Sequence, residues 1–138
     1  MKIINKSIKL AEELFPKIYK EKSHNVNFHF AFGYCRTKLI GIGFNDYSLN
    51  NKARKLGERF NIDHIKKWSY LHAETDLVSR LFGRYYIDNS LKIVVIRLNR
   101  FNKLQMSKPC PSCTEVLKAL NVNDVYWSDR QGEIQYGL

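Results

Sequence analysis

Residues 91–99 read LKIVVIRLN, a near-continuous apolar run built mostly from Ile, Val and Leu. A run of this kind predicts a strand in the middle of a sheet rather than at its edge. A second strand signal lies upstream. NVNFHFAFGY alternates strictly, which puts Val26, Phe28, Phe30, Phe32 and Tyr34 on one face and His29 on the other. A short RTK turn then leads into LIGIGFN, whose glycines would let a helix or a ligand come close. The two strands predict an antiparallel hairpin.

Helical spacing appears on either side of these strands. Over residues 6–19, Ile8, Ala11, Leu14 (or Phe15) and Ile18 recur at helical intervals, with Lys and Glu between them. HAETDLVSRLFGRY predicts a helix with Ala73, Leu77, Val78 and Leu81 as its buried stripe and Gly83 near its end. PCPSCTEVLKALN predicts another, with proline in its first turn and Val116, Leu117 and Leu120 facing the core. VNDVYWSD and EIQYG read as closing strands joined by an RQG turn. Residues 45–69 are polar and basic without a clean period, so they read as a long loop holding at most a helical turn around Lys52 to Phe60. The predicted order is α-β-β-α-β-α-β-β, one α/β domain over residues 1–138.

Composition sets outer limits. With 44% hydrophobic residues over 138 positions, a packed core is expected and disorder is not. No apolar run approaches the ~18 to 20 residues that span a bilayer. The segment MKIINKSIKLAEELF carries acids and no continuous apolar stretch, so it does not resemble a secretory signal. Three cysteines, an odd number, fit a disulfide-stapled secreted scaffold poorly and favour a reducing, cytoplasmic setting. The formal charge of +10 favours an anionic partner, of which nucleic acid is the commonest for a soluble basic domain.

Two of the three cysteines, Cys110 and Cys113, stand three residues apart at the start of a predicted helix, so their sulfurs share one face. The positive end of the helix favours thiolates there. A disulfide, a redox pair and a metal site are the candidates. Nothing else resembles a thioredoxin pattern, and a soft divalent ion such as zinc suits the pair best. Two sulfurs need a third ligand. Of His24, His29, His64 and His72, only His72 opens a helix with a carboxylate, Glu74, two residues on.

His72-Ala73-Glu74 followed by Pro109-Cys110-Pro111-Ser112-Cys113 makes the H-x-E…P-C-x-x-C pattern of zinc nucleobase deaminases. From residue 24 onward the chain therefore resembles the cytidine deaminase superfamily. That resemblance implies a three-layer sandwich with a mixed five-stranded sheet and helices on both faces. It implies one zinc ion held by His72, Cys110 and Cys113, with Glu74 as the catalytic proton carrier rather than a ligand. It also places Asn45 against the sugar, the Ala73 backbone against the pyrimidine oxygen, and the carbonyls of Ser107 and Lys108 against the exocyclic amine. Cys35 is expected to be buried filler rather than a fourth ligand.

The residues flanking the motifs point to cytosine. Adenosine deaminases acting on tRNA usually have an acidic residue before Pro-Cys, a Met between the cysteines and Asp-Pro-Thr before the His. Here those places read Lys108, Pro111-Ser112 and Trp68-Ser69-Tyr70. The expected substrate is cytosine in a polynucleotide, DNA favoured, single-stranded or with a flipped base, and a monomer would suffice. Lys52, Arg54, Lys55, Arg59, Lys66 and Lys67, with Phe60, Trp68 and Tyr70 among them, would meet the strand. Tyr126, Trp127, Asp129 and Arg130 fall where related nucleic-acid deaminases read the base 5′ of the target. The alternatives are a free cytidine, deoxycytidine or deoxycytidylate deaminase of salvage, oligomeric in that case, and a non-catalytic zinc-stabilised nucleic-acid-binding module.

Overall fold

The structure, a computed structural model, describes residues 2–21, 27–46, 51–67, 71–85 and 87–138. Its elements run α1 (Lys2–Glu21), β1 (Asn27–Cys35), β2 (Lys38–Phe44), α2 (Lys52–Phe60), α3 (Asp63–Lys66), α4 (Ala73–Leu81), β3 (Leu91–Asn99), β4 (Leu104–Gln105), α5 (Pro111–Ala119), β5 (Asp124–Ser128) and β6 (Ile134–Tyr136). The strands form one sheet in the order β2-β1-β3-β5-β6, with β4 also paired to β3. β3 is central, as its near-continuous apolar run predicts. It pairs antiparallel with β1 from Leu91↔Cys35 to Asn99↔Asn27, and parallel with β5 from Lys92↔Asp124 to Val95↔Trp127.

The sheet holds six strands where five were expected. The addition is β4, only two residues long, which pairs Arg97 and Leu98 through Gln105 and Leu104. Asn99 builds its turn, the side-chain oxygen accepting from the backbone N–H groups of Phe101 and Lys103 at 2.9 and 3.1 Å. Two residues are too few to leave an alternation in the sequence. The basic 45–69 segment also differs from expectation, since it contains the full helix α2 and the short α3. On α2 only Ala53, Leu56 and Gly57 are buried, a stripe too narrow to announce a period, and its Lys, Arg and Glu residues are good helix formers. α1 begins at Lys2 rather than residue 6, and its buried face is Ile3, Ile4, Ser7, Ala11, Phe15 and Ile18, with Ile8 and Leu14 at its margins.

Each face of the sheet carries its own core. On one, α1 covers Phe28, Phe30, Phe32, Tyr34, Val94, Ile96 and Leu98. The Tyr34 hydroxyl is buried there and meets the Ser7 hydroxyl at 2.8 Å, satisfying both. On the other, α2, α4 and α5 pack over Ala31, Ile93, Val95 and Val125. The result is a three-layer α/β arrangement of helix, sheet and helices. Among the described residues, no helix is long and apolar enough to cross a membrane. Cys35, expected inside, is exposed at the β1–β2 turn because Tyr34 takes the core-facing position before it.

The glycines of LIGIGFN seat α4 on the sheet. A Cβ at Gly43 would lie 2.2 Å from the Ala73 carbonyl oxygen and 2.5 Å from the Leu77 nitrogen, both backbone atoms that cannot swing aside. At Gly41 the nearest atoms belong to the flexible ends of Leu81 and Leu77, at 3.0 and 3.2 Å. Gly43→Ala should therefore destabilise by about 3 kcal/mol, roughly 10 °C in Tm, and push the first turn of α4 off the sheet. Gly41→Ala should cost less than half as much. Thermal melts of the two variants check the ranking, and equal losses would contradict the backbone-contact argument.

Candidate metal centre

The site is built from the starts of two helices. His72 is the N-cap of α4, in extended conformation, and its carbonyl accepts from the Asp76 N–H and the Thr75 hydroxyl, both at 2.9 Å. The chain just before it is pinned to the end of β2 by paired backbone hydrogen bonds between Asp46 and Leu71 at 2.9 and 3.0 Å. Cys110 is the N-cap of α5, with Pro111 at the first helical position, and its sulfur accepts from the Cys113 N–H at 3.5 Å. Because β3 and β5 run parallel, α5 crosses between them and brings its first turn beside that of α4.

Three donor atoms converge there. His72 Nδ1 lies 3.6 Å from Cys110 Sγ and 3.5 Å from Cys113 Sγ, and all three atoms fall within 4.8 Å of one another. A tetrahedral ion with Zn–S near 2.3 Å and Zn–N near 2.05 Å separates sulfur from nitrogen by about 3.5 Å along its edges. The observed spacing matches, so this cluster can hold a metal ion. The hydrogen bond from Cys113 brings the Cys110 thiol down to about 4 against the effect of burial, with His72 assisting, while the bond to Cys110 and burial push Cys113 well up.

Glu74 stands beside the cluster and is buried. Burial raises its pKa above the usual carboxylate value, partly opposed by a backbone hydrogen bond and the nearby His72. Glu74, His72, Ala73 and Cys110 line a small cavity of about 130 Å³, which is completed by His29, Asn45, Leu71 and Lys108. Asn45 is buried; its Oδ1 accepts from the His29 N–H at 2.9 Å and its Nδ2 donates to the Asn27 carbonyl at 3.0 Å. One amide proton and one lone pair remain for a ligand.

His29, like Leu71, is a cavity residue that the sequence motifs do not mark. Burial, with help from the Arg97 and His72 charges, lowers its pKa to about 4, so it is neutral at physiological pH. Its signal was available: a polar ring on the strand face opposite the phenylalanines, where Ala31 and Gly33 follow and no bulk competes.

The other sequence-derived positions scatter. Ser107 ties β3 to β5, donating to the Val95 carbonyl at 2.7 Å and exchanging hydrogen bonds with Ser128. Trp127 is half-buried, donates to the Gly137 carbonyl at 2.8 Å, and has Lys108 Nζ 5.2 Å above its ring. Asp129 organises the β5–β6 turn, its Oδ1 accepting from the Gln131 and Glu133 N–H groups and its Oδ2 from the Gln135 amide. These bonds hold its pKa below the ordinary value, with the Gln135 bond foremost. None of the three lines the cavity. Tyr126 packs on the α1 side of the sheet, the face away from the cavity, against Tyr136, and Arg130 is exposed in the turn.

Lys52, Arg54 and Lys55 lie on α2, and Lys66 bonds Asn61 and Asp63 at 2.7 and 3.1 Å, with Lys67 exposed after it. Trp68, Tyr70, His24 and the His64 side chain lie outside the described residues. No known family model matches this chain, and no curated protein or solved structure matches it either.

Proposed function

We propose that the chain is a zinc-dependent hydrolytic deaminase that converts cytosine to uracil within a single-stranded polynucleotide, DNA favoured over RNA. The observation that carries this reading is Glu74, a buried carboxyl group that shares a small cavity with His72 and Cys110, two members of a three-donor metal cluster. A closed structural zinc site uses four protein ligands and has no need of a buried acid beside it. Bound there, zinc would supply the Lewis acidity that draws the pKa of water toward ~7.

The chain's own groups account for the rest of the chemistry. Glu74 takes a proton from the attacking water, passes it to the ring nitrogen beside the amino-bearing carbon, and later protonates the amine so that ammonia leaves. The balance is cytosine plus water to uracil plus ammonia. Of the backbone groups that line the cavity, the Ala73 N–H would meet the pyrimidine oxygen and the Lys108 carbonyl the amine, while Ser107 lies outside the lining. Neutral His29 adds a hydrogen-bonding edge without a charge that would repel or protonate the ring.

Size supports a base presented from outside. A cavity of about 130 Å³ is well below the ~300 Å³ at which sites for whole drug-sized ligands begin, so sugar and phosphate stay at the surface. The chain's charge of +10 supports a polyanionic carrier for that base. The test is to incubate the metal-loaded protein with cytidine, deoxycytidylate, single- and double-stranded DNA and RNA, and to quantify uracil by mass spectrometry. Single-stranded DNA should be the best substrate, with kcat/KM falling at least tenfold between 50 and 200 mM salt. Cytidine turned over equally well and without salt dependence would establish a free-nucleoside enzyme instead.

A further inference from the structure

A basic feature of the surface lies apart from the metal cavity. Between α2 and α4 lies a hollow of about 400 Å³, lined by Lys52, Lys55 and Arg59 from α2 and by Arg80 from α4, over a floor of Leu56 and Phe82. It shares no lining residue with the metal cavity. We infer that this hollow is a second binding site, taking the phosphates of a single-stranded polynucleotide.

The charge arrangement is the first argument. Lys52, Lys55 and Arg59 recur at intervals of three and four, so they stack along one flank of α2 over roughly 10 Å. Neighbouring like charges at this spacing repel and weaken a helix. Among the described residues, no acidic side chain lines the hollow. Behind it the Asp76 carboxylate is 2% exposed, accepts from Arg80 Nε at 2.8 Å and lies 3.8 Å from Lys52 Nζ. One buried negative charge thus orders two of four cations and leaves a surplus of positive charge facing solvent.

Shape and aromatic content narrow the ligand. Arg59 sits 4.6 Å over the Phe82 ring, a stack that leaves the guanidinium edge free to take phosphate oxygens in pairs. Past Ser79 and Arg80 the hollow continues into a polar trough bearing Arg84 and Tyr85, whose ring is 43% exposed. A cationic path of this length ending on an open aromatic suits a strand with phosphates and stackable bases better than a lone anion. Ser79 follows Glu74 by five residues on the same helix, about 7.5 Å of rise, so one strand touching both sites would be held with raised effective concentration at the cavity. The identity of the polymer rests on the deaminase reading; the anion site does not.

The experiment uses the full chain and a fluorescein-labelled 15-residue oligothymidylate, which contains no cytosine and reports binding apart from turnover. Lys55→Glu/Arg59→Glu should weaken binding at least tenfold at 50 mM salt and flatten the slope of log K against log salt by one to two, about 0.7 per lost phosphate contact. Lys17→Glu/Lys20→Glu, on the exposed face of α1, carries the same charge change and should cost less than threefold. If the groove variant melts early, Lys55→Gln alone should still lower the slope by about 0.7. Wild-type affinity in the groove variants, an equal loss in the α1 control, or equally effective displacement by polyglutamate would overturn the proposal. Uracil formation on a cytosine-containing trinucleotide, too short to span both sites, is measured in parallel. Its absence with oligothymidylate binding intact would count against the deaminase and leave the groove standing.

Discussion

Glu74→Gln protein should bind one equivalent of zinc, keep its fold, and deaminate roughly 10²- to 10⁴-fold more slowly than wild type. The amide preserves the shape of a side chain that is buried and lines the cavity, and Glu74 is not one of the three clustered donors. What it removes is the capacity to accept and return a proton. Stability supplies an independent sign. In metal-free protein, burial raises the Glu74 pKa, so the folded state holds this proton more tightly than the unfolded chain does. Folding is therefore penalised as pH rises above the unfolded value of about 4.3, and the penalty persists at pH 7. Metal-free Glu74→Gln should melt at or above the wild-type temperature at neutral pH, the advantage fading below pH 4. Metal analysis, melts and single-turnover assays read all three, and wild-type turnover would end the assignment of proton transfer to this residue.

The second large effect is loss of the ion. Cys113→Ala should fall from one bound zinc per chain to less than about 0.1, and activity should vanish with it. Cys113 is fully buried and its sulfur is 3.5 Å from His72 Nδ1, so no neighbouring side chain among the described residues replaces it in the cluster. The truncation itself should cost about 1 kcal/mol in packing. The larger change is linkage: wild-type stability should drop on adding a chelator, whereas the variant's should not respond. A variant that retains full metal content would remove Cys113 from the ligand set.

How much of this was legible in the sequence depended on how many residues a feature occupies. β3 and β1 announce themselves because each spans nine residues with a sustained pattern, a near-continuous apolar run in one and alternating phenylalanines in the other. The metal cluster was legible because cysteine pairs and a His two residues before a Glu are rare enough that spacing alone selects them. The convergence of α4 and α5 is tertiary, and only the structure brings atoms 38 positions apart to 3.6 Å. α2 stayed hidden because its buried stripe is three residues wide, and the basic residues that make its groove read equally well as a solvated loop. His29 was seen on the face opposite the phenylalanines but had no partner in sequence, since only the fold brings Asn45 and Lys108 to the same cavity. Trp127 and Asp129 show what sequence could not, the hydrogen bonds that position them, one to the Gly137 carbonyl and the other within the β5–β6 turn.

His72 and Cys110 stand at the two ends of a segment that contains all of α4 and all of β3, the middle of the sheet. An ion gripping both ends would act as a rivet across that span. By the chain-entropy account of cross-links, closing a loop of this length removes about 4 kcal/mol worth of disorder from the unfolded chain. Such an ion would also hold residues 72–110 in register, tying the protein's lifetime in the cell to its supply of metal.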